Sequence, residues 1–289
     1  MDKVYGEIFK NLRLNKGFSI KEIACEFVSS ATISKFENGL SNISIDKFFI
    51  LLQNINMSPQ EFFTYLEEVV GTSHSISMLN LPLAFDHKNY IAIEHLLFEF
   101  SKASEKFPDN FALKLQVISI KSLIHQINKN YDVNPKDIKL IKQYLLSTKT
   151  WNEFELQLYS RSTSLFNPEN LRILTKRLCD PFNYTVMTYS IRLYTYNALV
   201  NLTTTLVERK DFVALRRVER YVLANPIPER YMFQKAILQF NFEIGHFHLE
   251  EDKQKVSNSL LEIISIFETL GCLSWAMRLK DIITPLNIL

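Results

Sequence analysis

The chain has 289 residues, enough for one large domain or two to three ordinary ones. Hydrophobic residues make up 47% and aromatics 12%, which allows a sizeable core and excludes wholesale disorder. The net charge of +2 argues neither for nor against a nucleic-acid partner, while 6 glycines and 9 prolines point to long regular elements with few turns.

Val4, Ile8 and Leu12 recur every four residues and mark the buried face of a first helix over residues 4–14. Lys16-Gly17 ends it, the glycine supplying a left-handed cap. Ser19 to Glu22 reads as a capping box, in which the serine caps and the glutamate reaches back. Ile20, Ile23, Ala24 and Phe27 are the expected buried stripe of this second, short helix. The third helix is capped by Ser29 or Ser30 and stopped by Asn38-Gly39, with Ile33 and Phe36 inward. A fourth begins after Ser44 with Ile45, Phe48, Phe49 and Leu52 inward. Ser58-Pro59-Gln60-Glu61 opens a fifth, where Phe62, Phe63 and Leu66 close the core.

Five short helices in residues 1–66, the second and third joined by a tight turn, describe a helix-turn-helix domain. The stretch Gly17 to Ala24 (GFSIKEIA) followed by Ser29 to Gly39 (SSATISKFENG) resembles the Cro/repressor, or XRE-type, family. A recognition helix must pack with one face and enter the major groove with the other. Ile33 and Phe36 pack, which leaves Ser30, Ala31, Thr32 and Lys35 toward the DNA, with Lys35 able to reach a guanine or a phosphate. Arg13, Lys16, Lys21 and Asn42, with Lys10, are the expected phosphate contacts. Glu37 is expected to support the domain by pairing with Arg13 or Lys16. Residues 1–66 hold seven Lys/Arg against seven Asp/Glu, so a single neutral domain binds DNA weakly and a dimer is expected to supply affinity.

Gly71 to Ser75 breaks the periodicity, and residues 67–75 are the expected linker. Residues 76–289 then read as helices only, near 76–86, 88–105, 109–128, 135–147, 151–167, 169–179, 184–208, 211–223, 229–249, 253–269 and 273–283. Asn134-Pro135 and Asn167-Pro168 each put a capping Asn before a first-turn Pro. Long and short helices alternate at the spacing of a helix-pair solenoid, so the expectation is an all-α chain: a helix-turn-helix domain plus a degenerate, tetratricopeptide-like superhelix with a concave face. Trp275, Ala276 and Leu279 suit a cap over the last repeat or, alternatively, a contact with a partner chain.

This organisation, together with WNEFELQLY at residues 151–159 and YNALVNL at 196–202, resembles the Rgg-type regulators of the peptide-responsive (RRNPP) group in Firmicutes. The resemblance implies a homodimeric transcription regulator that binds double-stranded DNA at an inverted repeat and a short signalling peptide on the concave face. Side-chain amides on long helices can satisfy an extended peptide's donors and acceptors together. Asn197 and Asn201 lie four apart on one face, Tyr159 and Arg161 on the preceding long helix, Tyr231 and Gln234 on the following one. Tyr194 and Arg192 complete the candidates, an arginine being suited to a peptide carboxylate. The alternatives are hydrogen bonds between packed helices, or a repeat domain that binds a protein partner or a non-peptide ligand.

Catalysis is not expected. Glu243 and His246 lie three apart, but a helical di-metal site needs a second such pair, and no Gly-rich phosphate loop is present. No cofactor or metal is implied. Cys25, Cys179 and Cys272 are odd in number and far apart, which fits a reducing cytoplasm, with Cys25 read as a buried free thiol or, alternatively, a cross-subunit disulfide. Neither a signal peptide nor an apolar run of about 20 residues is legible, so no membrane association is expected.

Overall fold

The computed structural model describes residues 2–70, 90–180, 187–249 and 252–286, together with Ile288. It divides into two compact units, Met1–His87 and Lys88–Leu289. Every element is helical, and among the described residues the only extended pairing is an isolated antiparallel bridge between Cys25 and Val28.

The first unit contains α1 (Asp2–Asn15), α2 (Ile20–Ile23), α3 (Ser30–Glu37), α4 (Ile45–Asn54) and α5 (Pro59–Val70). Its core is Ile8, Phe9, Ile33, Phe36, Leu51, Leu52 and Phe62 with their neighbours. Phe48 links the aromatic cluster, edge-on to Phe36 at 5.9 Å and to Phe62 at 4.9 Å. Gly6 lets α1 and α3 meet: a Cβ there would stand 2.0 Å from the Phe36 carbonyl oxygen.

Four expected core positions are corrected. Phe27 is 62% exposed, because α2 stops at Ile23 and the Cys25–Val28 bridge turns Val28 inward in its place. Ile45 and Phe49 are exposed, the buried face of α4 being Phe48, Leu51 and Leu52, and Phe63 is exposed beside the buried Phe62. Residues 67–70, expected as linker, are the last turn of α5. The rest of that linker and the expected helix at 76–86 lie outside the described residues.

The second unit contains α6 (Tyr90–Lys106), α7 (Phe111–Ile127), α8 (Pro135–Ser147), α9 (Glu153–Ser162), α10 (Pro168–Leu178), α11 (Tyr189–Glu208), α12 (Phe212–Ala224), α13 (Met232–Leu249), α14 (Lys253–Thr269) and α15 (Leu273–Ile283). The starts are set by caps: Asn134 and Asn167 accept backbone N–H groups ahead of Pro135 and Pro168, and Asp211 caps α12. Helices α7, α9, α11 and α13 form one row, each packed on the next, and the shorter α8 and α12 pack behind it. One core runs through the row from Leu115 to Ile283. Ala276 and Leu279 of α15 are buried at its end, as a terminal cap requires.

Candidate nucleic-acid and ligand sites

The turn between α2 and α3 is fixed by caps on both sides. Ser19 accepts the Glu22 N–H at 3.3 Å, and the Glu22 carboxylate accepts the Ser19 N–H at 2.7 Å. Hydrogen bonding of the carboxyl with the Ser19 hydroxyl first, and then with the Ser19 N–H, holds Glu22 below its usual value. Ser29 caps α3, its hydroxyl accepting the Thr32 N–H at 3.3 Å and lying 3.0 Å from the Thr32 hydroxyl. Gly39, at φ 66°, ends the helix in a Schellman motif, with Leu40 N–H on the Lys35 carbonyl at 2.8 Å.

On α3, Ala31 and Lys35 are exposed, while Ser30 and Thr32 are half-buried. The Lys35 side chain has no hydrogen-bond or ion-pair partner among the described residues. Lys21 and Asn42 are exposed, and Lys16 is exposed with its Nζ donating to the Asn56 carbonyl at 2.8 Å. Lys10 reaches Asn38 Oδ1 at 3.4 Å.

Arg13 is a correction. It is 4% exposed, and its Nε and Nη2 donate to the two oxygens of Glu37 at 2.6 and 2.7 Å while Nη1 donates to the Phe18 carbonyl at 2.6 Å. All three guanidinium nitrogens are committed, so the side chain locks α1 to α3 instead of meeting a phosphate. The bonds to Glu37 raise its pKa further, against the opposing effect of burial.

In the second unit the sequence candidates separate into two groups. Tyr159 and Tyr231 are corrected. Tyr159 is fully buried between Trp151, at 5.4 Å, and Phe166, at 6.4 Å, with its hydroxyl 3.3 Å from that of Thr175. It stands two residues from Arg161, about 200° around the helix, so the two cannot share a face. Tyr231 is 3% exposed, lies in a 3-10 turn before α13, and packs on Tyr189 and Tyr196. Arg192 is exposed, with its Nε 3.3 Å from the Met187 carbonyl.

The others form a band across the row. Gln126 of α7 donates to the Arg161 carbonyl at 2.8 Å, and Arg161 Nη2 donates to Gln157 Oε1 at 2.8 Å. Asn201 of α11 donates to the Ser160 hydroxyl at 2.8 Å and carbonyl at 3.2 Å. Gln234 of α13 donates to Asn197 Oδ1 at 3.0 Å. Tyr194, three residues before Asn197, is close enough to Arg161 for their charges to interact. Gln126, Gln157 and Ser160 were missed in the sequence, where isolated polar residues on an apolar helix carry no periodic signal.

Arg161 is the electrostatic centre of this band. Burial pulls its guanidinium down to about 10, and no carboxylate pairs with it among the described residues. Burial likewise raises the pKa of Tyr194. A half-buried, unneutralised cation bonded to a side-chain amide suits an anionic group carrying adjacent peptide-like donors and acceptors.

His246 lies between Glu219 and Glu243, at 2.9 and 3.5 Å, tying α12 to α13. Among the described residues no group of three or more His, Cys, Asp or Glu is placed to hold a metal ion, and no helix is long and apolar enough to cross a membrane. Cys25, Cys179 and Cys272 are free, and Cys25 is half-buried.

Residues 94–281 match the family profile of the HTH-type transcriptional regulator Rgg, C-terminal domain, and residues 9–62 match a helix-turn-helix family. Among solved structures, the SHP pheromone receptor Rgg2 of Streptococcus dysgalactiae is 19% identical, with 96% of this chain and 97% of that chain covered and a TM-score of 0.71. A transcriptional regulator from Listeria monocytogenes EGD-e is 18% identical over the full length of both chains, with a TM-score of 0.74. The PrgX/cCF10 complex is 14% identical, covering 97% of this chain and 99% of that one, with a TM-score of 0.69. The shared feature is the fold: a helix-turn-helix unit followed by a helical-repeat unit.

Proposed function

The chain belongs to the Rgg family of helix-turn-helix transcription regulators, and from that membership we propose that a short peptide bound on the α7–α9–α11–α13 row sets its output. The protein acts in the cytoplasm as a homodimer on an inverted-repeat promoter site. The α3 residues Ser30, Ala31, Thr32 and Lys35 read base edges, and Lys16, Lys21 and Asn42 contact phosphates. Two neutral DNA-binding units gain in a dimer the affinity that one lacks. The SHP pheromone receptor Rgg2 and the PrgX/cCF10 complex, of the same fold, support this reading.

The observation that carries the sensor half is Arg161. Its half-buried guanidinium lacks a carboxylate partner among the described residues, donates to Gln157 and interacts electrostatically with Tyr194. In this proposal a peptide carboxylate meets Arg161, and the backbone of the peptide exchanges hydrogen bonds with Asn197, Asn201 and Gln234. The mechanism is differential affinity: the peptide shifts output only by favouring one dimer arrangement over another.

The test is calorimetric titration of the full chain with synthetic octapeptides copied from the C-termini of small open reading frames beside its gene. One peptide is expected to bind saturably, with affinity reduced at least tenfold by Arg161→Ala. Binding that is indifferent to Arg161→Ala and to Asn197→Ala would remove the row from consideration.

A further inference from the structure

Behind the row, α10 and α12 stand apart and leave a groove of about 600 Å³ over α11. That volume lies within the range of small-molecule sites, roughly 300 to 1,000 Å³. Its floor is apolar: Leu171 of α10, Leu206 of α11 and Val218 of α12 are all buried and all line it. Cys179 and Tyr221 form one wall, each pushed up to about 12 by burial, so both stay neutral and add no charge.

The rim has the opposite character. Arg172 and Lys176 lie one turn apart on α10, and Arg217 faces the groove from α12. All three are exposed, and none has a hydrogen-bond or ion-pair partner among the described residues. Two carboxylates also line the groove, Glu169 and Asp211, but Asp211 is engaged as the α12 cap, accepting the Ala214 N–H at 3.0 Å. Three uncommitted cations therefore border a deep apolar floor. That pattern matches a ligand with an apolar body and an anionic head.

We propose that the α10–α12 groove is a second binding site, for a medium-chain carboxylate, with the apolar chain on Leu171, Leu206 and Val218 and the carboxylate among Arg172, Lys176 and Arg217. The site does not depend on the peptide reading above. It shares α11 with the row, since Leu206 lies on the same helix as Asn197 and Asn201.

The experiment is calorimetric titration of the full chain with decanoate below its micellar range, and with uncharged decanol as the control. Decanoate is expected to bind once per chain, at least tenfold tighter than decanol. The double charge reversal Lys176→Glu with Arg217→Glu, both at exposed positions, is expected to weaken decanoate at least tenfold and to leave decanol unchanged. Ala214→Trp, which fills the groove, removes binding of both. Arg161→Ala leaves decanoate binding intact. The proposal is overturned by no saturable decanoate binding, by equal affinity for decanol, by indifference to the charge reversal, or by loss of binding in Arg161→Ala, which would assign the ligand to the row.

Discussion

Removing the carboxylate of Glu37 leaves the Arg13 guanidinium buried with one carbonyl as its remaining acceptor. The two side chains are 4% and 1% exposed, so water cannot replace the lost partner. Breaking a buried ion pair from one side costs about 3–5 kcal/mol, against roughly 0–1 kcal/mol for an exposed pair. A small domain whose total stability lies near the low end of about 5–15 kcal/mol would lose most of it. Glu37→Ala is therefore expected to speed amide hydrogen exchange in α1 and α3 by about two to three and a half orders of magnitude, at about 1.4 kcal/mol per factor of ten. Exchange measured on the full chain by mass spectrometry reads this directly, because the second unit supplies an internal reference that should not change. Adding Arg13→Met to Glu37→Met should recover much of the loss, since an apolar pair of similar volume removes the buried charge. An acceleration below about tenfold in Glu37→Ala would show that the pair is solvated like a surface bridge and would refute the reasoning.

Three further outcomes follow from the same geometry. Gly6→Ala should destabilise the first unit by about 1–3 kcal/mol, read by exchange in α1, because the clash with the Phe36 carbonyl exceeds the gain in helix propensity of about 1 kcal/mol. Tyr159→Phe should cost about 1 kcal/mol in urea unfolding followed by Trp151 fluorescence, and leave peptide affinity unchanged; a loss of peptide binding would return Tyr159 to the ligand face. On acidification, exchange at the starts of α2 and α5 should accelerate before the cores open. Hydrogen bonds within the capping boxes hold Glu22 and Glu61 below the ordinary carboxylate value, those from the Ser19 hydroxyl and the Ser58 N–H leading respectively. Their contribution is complete above that ordinary value and is lost as pH falls through the lower folded-state values, whereas exchange that is flat across this window would contradict the caps.

What the sequence made legible was local. Ser19 with Glu22, Ser58 with Glu61, and Asn134 and Asn167 before proline mark helix starts through bonds that span three residues or fewer, and the structure places a helix start at each. What it left open was which of two neighbouring faces turns inward. On α4, positions 45 and 49 share one face and 48, 51, 52 and 55 another, and only the partner helices decide between them. Phe27 failed for a different reason: a helix of four residues ends before the 3.6-residue period can carry a prediction forward. Gly6 was invisible, because a mid-helix glycine reads as a propensity cost until the backbone it accommodates is known. In the ligand band, residue types were legible and directions were not. Asparagines 197 and 201 reach different helices, α13 and α9, and Tyr159 turns into the core while Arg161 stays with Gln157.

The central claim is that one chain couples DNA reading by α3 to peptide capture on the repeat row. Fluorescence anisotropy of a labelled fragment from upstream of its own gene, titrated with the full chain across a salt series with and without the saturating octapeptide, measures both at once. The account predicts specific binding that Thr32→Ala with Lys35→Ala abolishes without unfolding, a salt slope that Lys21→Ala alone lowers by about one, and a peptide-induced shift in affinity that Arg161→Ala removes. Specific binding that stays the same with every peptide, or weak binding blind to sequence under all conditions, would contradict it.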